Sequence, residues 1–265
     1  MIRTMNVAKE TGQDYAVVTY DLAIALKAYA IQSLDSPLFD KLLIMLGIFH
    51  IELAFYGAVG TYINDSGIEF ILSECDILAK GSMMGFIKGK FYNRCSRIHE
   101  LLAITLEDKL YNRFLVDIPE EEIHEIQYLM SSVPSDPSSV EKYLDTPAIH
   151  RHLQVYEEFF QAVLKGSLGA TAQYWAIYIF LINRLHRELQ RCVKTNDVSG
   201  YLQVLPAVLE VFFALNRPNY ARWGSLFFQK LKSADSCLME ILEQGAFSIR
   251  RTNKSYSRSA VDSQP

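Results

Sequence analysis

Asp21 is the residue whose position most directly suggests chemistry. It follows YAVVTY (Tyr15–Tyr20), a short β-branched and aromatic segment that predicts a strand. A carboxylate at the end of a strand is how two-metal nucleases hold Mg²⁺, together with further acidic groups from elsewhere in the fold. The same position also suits the N-cap of a following helix, where the carboxylate accepts a backbone N–H. Spacing favours the cap, and the catalytic, metal-binding interpretation of Asp21 requires that other acidic groups be supplied.

A second set of candidate residues is basic and interleaved with aromatic side chains. Its members are Lys88, Lys90, Arg94 and Arg97, with Phe91 and Tyr92 between them. The last three cations recur at i, i+4 and i+7 of a predicted helix Lys90–Leu115, so they should share one side of it. Clusters of this kind bind the phosphate backbone of nucleic acids. The alternative is a set of solvated helix charges, partly balanced by acidic residues further along the same helix.

His50 and Glu52 interrupt the longest apolar run of the chain, Leu42–Ile63. An ionisable Glu near the middle is costly in lipid, and three glycines weaken a lone helix, so we expect no membrane association. The run predicts a buried helix of a globular domain. Two residues apart, His50 and Glu52 lie on different helix faces and would not chelate one ion. We interpret them as polar residues of the core, each needing a partner there.

Helical periodicity elsewhere indicates a mainly α, multi-helical fold with at most a short strand near the N-terminus. The longest helices are predicted at Lys90–Leu115 and Thr171–Lys194, each with an apolar stripe at three- and four-residue steps. The side chains expected to be buried are Phe91, Cys95, Ile98 and Leu102 in the first helix, and Trp175, Tyr178, Leu185 and Leu189 in the second.

Composition along the chain predicts four regions. An N-terminal helical region at residues 1–130 contains the strand at 15–20 and the central helix at 42–63. Residues 131–147 hold three prolines and five serines and form the best linker candidate. A C-terminal helical region follows at 148–249, and the serine-rich, basic tail at 250–265 is expected to be disordered.

Overall composition limits the function classes. The net charge of −4 excludes a chain that is basic throughout, so nucleic-acid binding must come from a local patch. The four cysteines show no metal-ligand spacing, which favours free thiols in a reducing, intracellular compartment. Phosphate-binding glycine loops, GxSxG and HExxH are absent from the sequence. We therefore expect no cofactor, unless Mg²⁺ is bound under the nuclease interpretation.

Several phrases of the sequence resemble uncharacterised, transposon-derived proteins found in invertebrate and fish genomes. The similarity spans most of the chain and keeps the family's order. The phrases are VVTYDLAIA (Val17–Ala25), LGIFHIELAF (Leu46–Phe55), SGIEFIL (Ser66–Leu72), GKFYNRCSRIHELL (Gly89–Leu102), RPNYARWGSLFF (Arg217–Phe228) and EQGAFSIRRT (Glu243–Thr252).

This resemblance implies a relic of a cut-and-paste transposase with a ribonuclease-H-like core that a helical insertion interrupts. Only Asp21 matches a metal-binding carboxylate of such a core. Only twenty residues precede it, too few for the earlier strands, and a Glu-bearing segment that the family carries after the stretch matching Val261–Pro265 is not present. The resemblance thus implies a fragment with an incomplete catalytic set, located in the nucleus if the relationship holds.

The function expected from the sequence is that of a transposon-derived helical protein without autonomous catalysis, retaining weak nucleic-acid or protein binding. One alternative is a fragment of a metal-dependent transposase or nuclease that uses three acidic residues. A third possibility is a helical interaction module, in which the stripe between Trp175 and Cys192 contacts a protein partner or a second copy of the chain.

Overall fold

The structure, a computed structural model, describes residues 1–131, 144, 146–252 and 255–257; for residues 251–257 it describes the backbone alone. The fold is mainly α, as the sequence predicted. The chain forms two compact units, residues 1–98 with 184–265, and residues 99–183. These bounds differ from the predicted regions 1–130 and 148–249. The predicted linker at 131–147 lies mostly outside the described residues.

The first unit contains both strand pairs. Its elements are α1 (Ile2–Glu10), β1 (Ala16–Tyr20), α2 (Leu22–Leu34), β2 (Leu42–Leu46), α3 (Ile48–Ile63), α4 (Ile68–Glu74), α5 (Lys80–Ile87) and the beginning of α6 (Tyr92–Leu115). The second unit contains the rest of α6, followed by α7 (Glu120–Ser131), α8 (Pro147–Leu164), α9 (Ala170–Ile179) and the beginning of a π-helical segment (Phe180–His186). The remaining elements belong to the first unit: α10 (Arg187–Thr195), α11 (Val198–Ala214), α12 (Pro218–Lys232), α13 (Ser236–Ile241), a short π-helical segment (Leu242–Ala246), β3 (Ile249–Thr252) and β4 (Ser255–Ser257).

The first two strands correct the predicted central helix. β1 and β2 pair in parallel, from Ala16 with Leu42 to Tyr20 with Leu46, and α2 connects them. The predicted helix at 42–63 was therefore wrong over its first five residues, which are a fully buried strand. A short, continuous apolar run fits a buried strand and a buried helix equally well, so periodicity could not separate them. Gly47 then begins α3 as its N-cap.

α3 lies at the centre of the first unit. Phe55, Tyr56 and Val59 are almost completely inaccessible to solvent. Gly60 lets the helix approach the end of α5 so closely that a Cβ atom there would overlap the carbonyl of Ile87. α3 thus contacts its neighbours through its backbone as well as through side chains, and the backbone contact at Gly60 is with the last residue of α5.

The two longest helical runs agree with the periodicity in most of their buried positions. α6 extends over 24 residues, and Cys95, Ile98 and Leu102 are buried, as predicted. The prediction for Phe91 was wrong, since it is 62% exposed. It precedes α6 and has φ of +66°, so the helical spacing does not apply to it.

The second run continues from α9 through the π-helical segment into α10. Tyr178, Leu185, Leu189 and Cys192 are buried, and Trp175 is half-buried. These buried side chains pack inside the chain. The apolar stripe of this run is therefore largely used in the protein's own core.

The core of the second unit combines aliphatic packing with buried polar pairs. Phe160 and Val163 of α8 pack against Ala176 and Ile179 of α9. The hydroxyl of Tyr178 lies 2.9 Å from Nδ1 of the buried His99. Such pairs satisfy polar groups that would otherwise lose their water on folding.

The C-terminal part of the described chain contains structure where a disordered tail from residue 250 was predicted. β3 and β4 pair antiparallel, with Ile249 opposite Ser257, and this corrects the prediction for residues 250–252 and 255–257. Residues 258–265 lie outside the described residues. No helix in the described part of the chain is both long and apolar enough to cross a membrane.

The contact between α3 and α5 leads to a stability prediction. Replacing Gly60 with Ala should lower the free energy of unfolding by about 1–3 kcal/mol or more, because the added methyl overlaps the Ile87 carbonyl. Gly81→Ala in α5 is the matched control, since no atom lies within 4 Å of the added methyl. It should be neutral or stabilising by up to about 1 kcal/mol. Urea unfolding followed by circular dichroism measures both, and equal stabilities of the two variants would contradict the proposed contact.

Candidate nucleic-acid interface

The basic cluster lies on the turn between α5 and α6, and backbone hydrogen bonds define this turn. The amide of Lys88 donates to the carbonyl of Met84 at 3.1 Å, and the amide of Lys90 donates to the carbonyl of Gly85 at 2.8 Å. Gly89 has φ of +71°, a conformation that glycine adopts without strain. The turn therefore ends α5 and changes the direction of the chain before α6 begins at Tyr92.

Two buried groups of the core, the thiol of Cys95 and the backbone of Gly57, contact this turn. The thiol of Cys95 donates to the carbonyl of Lys90 at 2.9 Å. Burial raises the pKa of this thiol to about 11, so it is a protonated donor at neutral pH. On the other side, a Cβ atom at Gly89 would overlap the backbone of Gly57 in α3. The turn is thus held between the core helix and the first turn of α6.

The four predicted cations are all exposed around this turn. Lys88 and Lys90 belong to the turn itself, whereas Arg94 and Arg97 lie on α6. The predicted helix at Lys90–Leu115 begins two residues later than expected, so the cations do not form a single helical row. No carboxylate of the described residues lies at salt-bridge distance from any of the four. Their charge is therefore available to a ligand.

Arg217 is a fifth cation near the turn that sequence reasoning did not assign to it. Its Nη2 donates to the hydroxyl of Thr61 at 3.2 Å. A Cβ atom placed on Gly57 would lie 2.8 Å from this Nη2 and 3.0 Å from the carbonyl of Lys88. Burial lowers the pKa of the Arg217 guanidinium, which nevertheless stays charged at neutral pH because its ordinary pKa is so high. Arg217 thus adds positive potential beneath the turn.

Asp21 lies at the end of β1, where the sequence predicted it. Its Oδ1 accepts a hydrogen bond from the amide of Ile24 at 2.8 Å, so it is the N-cap of α2. No group of three or more His, Cys, Asp or Glu residues that could hold a metal ion occurs in the described part of the chain. The catalytic role suggested for Asp21 stays a prediction.

Of the two polar residues predicted for the core, only Glu52 is fully buried. It is 2% exposed, and its Oε1 lies 3.8 Å from Nε2 of the equally buried His186. His50 is half-buried and contacts the ring of Phe49 edge-on at 5.4 Å, which corrects the expectation of a buried histidine. The partner of Glu52 comes from the π-helical segment, which no local sequence pattern indicated.

A second polar cluster in the other unit was also missed. The hydroxyl of Tyr111 lies 2.7 Å from Nε2 of the buried His152, whose Nδ1 lies 3.4 Å from Oε1 of Glu122. Burial raises the pKa of Tyr111, which favours its neutral hydroxyl as a donor to the histidine. The three residues come from α6, α7 and α8, so their association depends on helix packing. We interpret the cluster as structural.

Residues 1–264 of the chain match a protein-family model that describes a domain of unknown function. The chain belongs to this family, DUF8702. No similar curated protein and no similar solved structure was found. Membership in DUF8702 covers both compact units, so the family corresponds to the whole described chain rather than to one of its units.

Two variants of Asp21 separate its role as a helix cap from its charge. Asp21→Ala should lower the free energy of unfolding by about 1 kcal/mol, because the amide of Ile24 loses its acceptor. Asp21→Asn should retain the stability of the unchanged DUF8702 chain, since an amide oxygen caps a helix as well. Urea unfolding measures the difference. Equal losses in both variants would show that the carboxylate charge, rather than the acceptor, is what the fold requires.

Proposed function

We propose that this chain is a transposon-derived protein that binds nucleic acid through the phosphate backbone and has no catalytic activity of its own. The observation that carries the proposal is the set of four exposed, unpaired cations around the α5–α6 turn. The set consists of Lys88, Lys90, Arg94 and Arg97. Cations that are not engaged in ion pairs attract phosphates more strongly than cations that are.

The arrangement suits a ligand without sequence preference. Contacts to phosphates carry no sequence information, and lysine and arginine supply most of them. At about −0.9 per phosphate contact, about 3–4 contacts predict a slope of about −2.7 to −3.6 for log affinity against log salt concentration. Affinity for duplex DNA should then fall by about 40- to 150-fold between about 50 and 200 mM salt. Binding that rests on so few phosphate contacts is expected to be weak and to fall as salt is added.

The proposed lack of catalysis is supported by the local bonding of Asp21. One of its carboxylate oxygens already accepts the Ile24 amide at the start of α2. The alternative is a fragment of a Mg²⁺-dependent, transposase-type nuclease, in which Asp21 binds the metal together with acidic groups from another segment or subunit. We propose nuclear localisation for both the non-catalytic, transposon-derived protein and the nuclease fragment, because both act on DNA. A protein-interaction module is the third candidate, with a partner protein or a second copy as its ligand.

Charge reversal tests the binding proposal. The double variant Arg94→Glu, Arg97→Glu should abolish binding to a labelled DNA duplex, measured by fluorescence anisotropy at low salt. Thermal unfolding should change little, because exposed charges contribute about 0–1 kcal/mol each. The matched control is Arg151→Glu with Lys165→Glu, which changes the net charge equally at two exposed positions of the other unit. Binding that survives the first double variant, or that is lost equally in the control, would contradict the proposed interface.

Plasmid nicking in the presence of Mg²⁺ tests the absence of catalysis. We expect no cleavage above background by the purified chain. Cleavage that disappears in Asp21→Asn, which keeps the helix cap, would overturn the non-catalytic proposal and favour the nuclease fragment.

A further inference from the structure

Phe91 is an unusual residue at the proposed interface. It is a large aromatic side chain that is 62% exposed, and its backbone has φ of +66°. A bulky residue other than glycine rarely adopts this conformation, and such backbone outliers concentrate at functional sites. The exposure of so large an apolar side chain is not explained by burial in the core.

The ring of Phe91 is fixed in place rather than free on the surface. A Cβ atom at Gly85 would lie 2.8 Å from its Cε2, so the ring edge packs against a backbone that bears no side chain. The Phe91 carbonyl accepts the amides of Arg94 at 2.9 Å and Cys95 at 3.1 Å, which joins the residue to the first turn of α6. An exposed aromatic ring that is held in one position is suited to receive a planar group.

One cation lies against the ring, and two more exposed cations precede it in the chain. The guanidinium of Arg94 lies over it, with 5.2 Å between Cζ and the ring centroid. Lys88 and Lys90 are exposed on the preceding residues of the same turn. An aromatic platform next to groups that bind phosphate is the combination with which proteins hold single-stranded nucleic acid, since every base has a face that can stack.

We propose that the α5–α6 turn binds single-stranded nucleic acid by stacking one base on Phe91 while the neighbouring cations contact the flanking phosphates. This inference rests on the proposed nucleic-acid binding and specifies the form of the ligand. In a duplex the bases are stacked on one another and paired, so only phosphates reach the turn and Phe91 adds nothing. In a single strand a base is free to leave its neighbours, and the ring adds to the affinity.

The test compares three labelled probes by fluorescence anisotropy at low salt: a 20-nucleotide oligo-dT, an oligo-U of equal length and a 20-base-pair DNA duplex. The full chain should bind both single strands more tightly than the duplex. Phe91→Leu should weaken single-strand binding by about 5- to 150-fold, the range that loss of one stacked base produces. It should change duplex binding less than about twofold, since phosphate contacts remain. Phe70→Leu, at an aromatic residue that is 68% exposed on α4, is the matched control and should change neither.

A second variant detects stacking directly and does not depend on a loss of function. Phe91→Trp should keep the affinity for oligo-dT, and the fluorescence of the new indole should be quenched on binding, whereas Phe70→Trp should show no quenching. Equal binding of single strands and duplex, with no effect of Phe91→Leu and no quenching, would overturn this inference and leave phosphate binding in place. Absence of binding to all three probes would overturn the proposed function and this inference with it.

Discussion

The close approach of α3 to the α5–α6 turn is the constraint on which the candidate interface depends. Gly57, Gly60 and Gly89 carry no Cβ atom, so backbone meets backbone where side chains would keep the elements apart. The carbonyls of Lys90 and Phe91 accept hydrogen bonds from the first turn of α6, so these contacts within the chain hold the turn in shape. In general, a binding group on a backbone of fixed shape loses less conformational freedom on binding a ligand than one on a flexible loop.

The ionisable residues of the first unit differ in their bonding according to how deeply they are buried. Glu52 is at the centre and lies beside His186, while the half-buried Arg217 reaches the hydroxyl of Thr61 near the surface. The exposed cations of the turn have no such partners. A polar group in the interior requires a partner because it has lost its water, whereas a surface cation keeps its hydration and can exchange it for a ligand. This difference leaves four cations exposed around the α5–α6 turn in a chain whose net charge is −4.

The three candidate functional sites that the sequence suggested, Asp21, His50 and the basic cluster, differ in their local bonding. Asp21 is engaged by the backbone of α2, and His50 contacts an aromatic ring at partial exposure. The basic cluster keeps its charge exposed and gains Phe91 as an aromatic neighbour. Only this last combination places exposed cations beside an exposed aromatic ring, which is the arrangement that the proposed nucleic-acid binding uses.

The sequence by itself determined the mainly α class, the cap position of Asp21 and the burial of Cys95, because these follow from local periodicity and from the residue types at helix ends. Tertiary structure decided the rest. The strand at Leu42–Leu46 exists because β1 is available to pair with it, and an apolar run alone fits either element. Arg217 reaches the turn, and His186 reaches Glu52, across more than a hundred residues of chain. Contacts of that range leave no periodic pattern in the sequence, since they depend on how elements pack and not on the residues beside them.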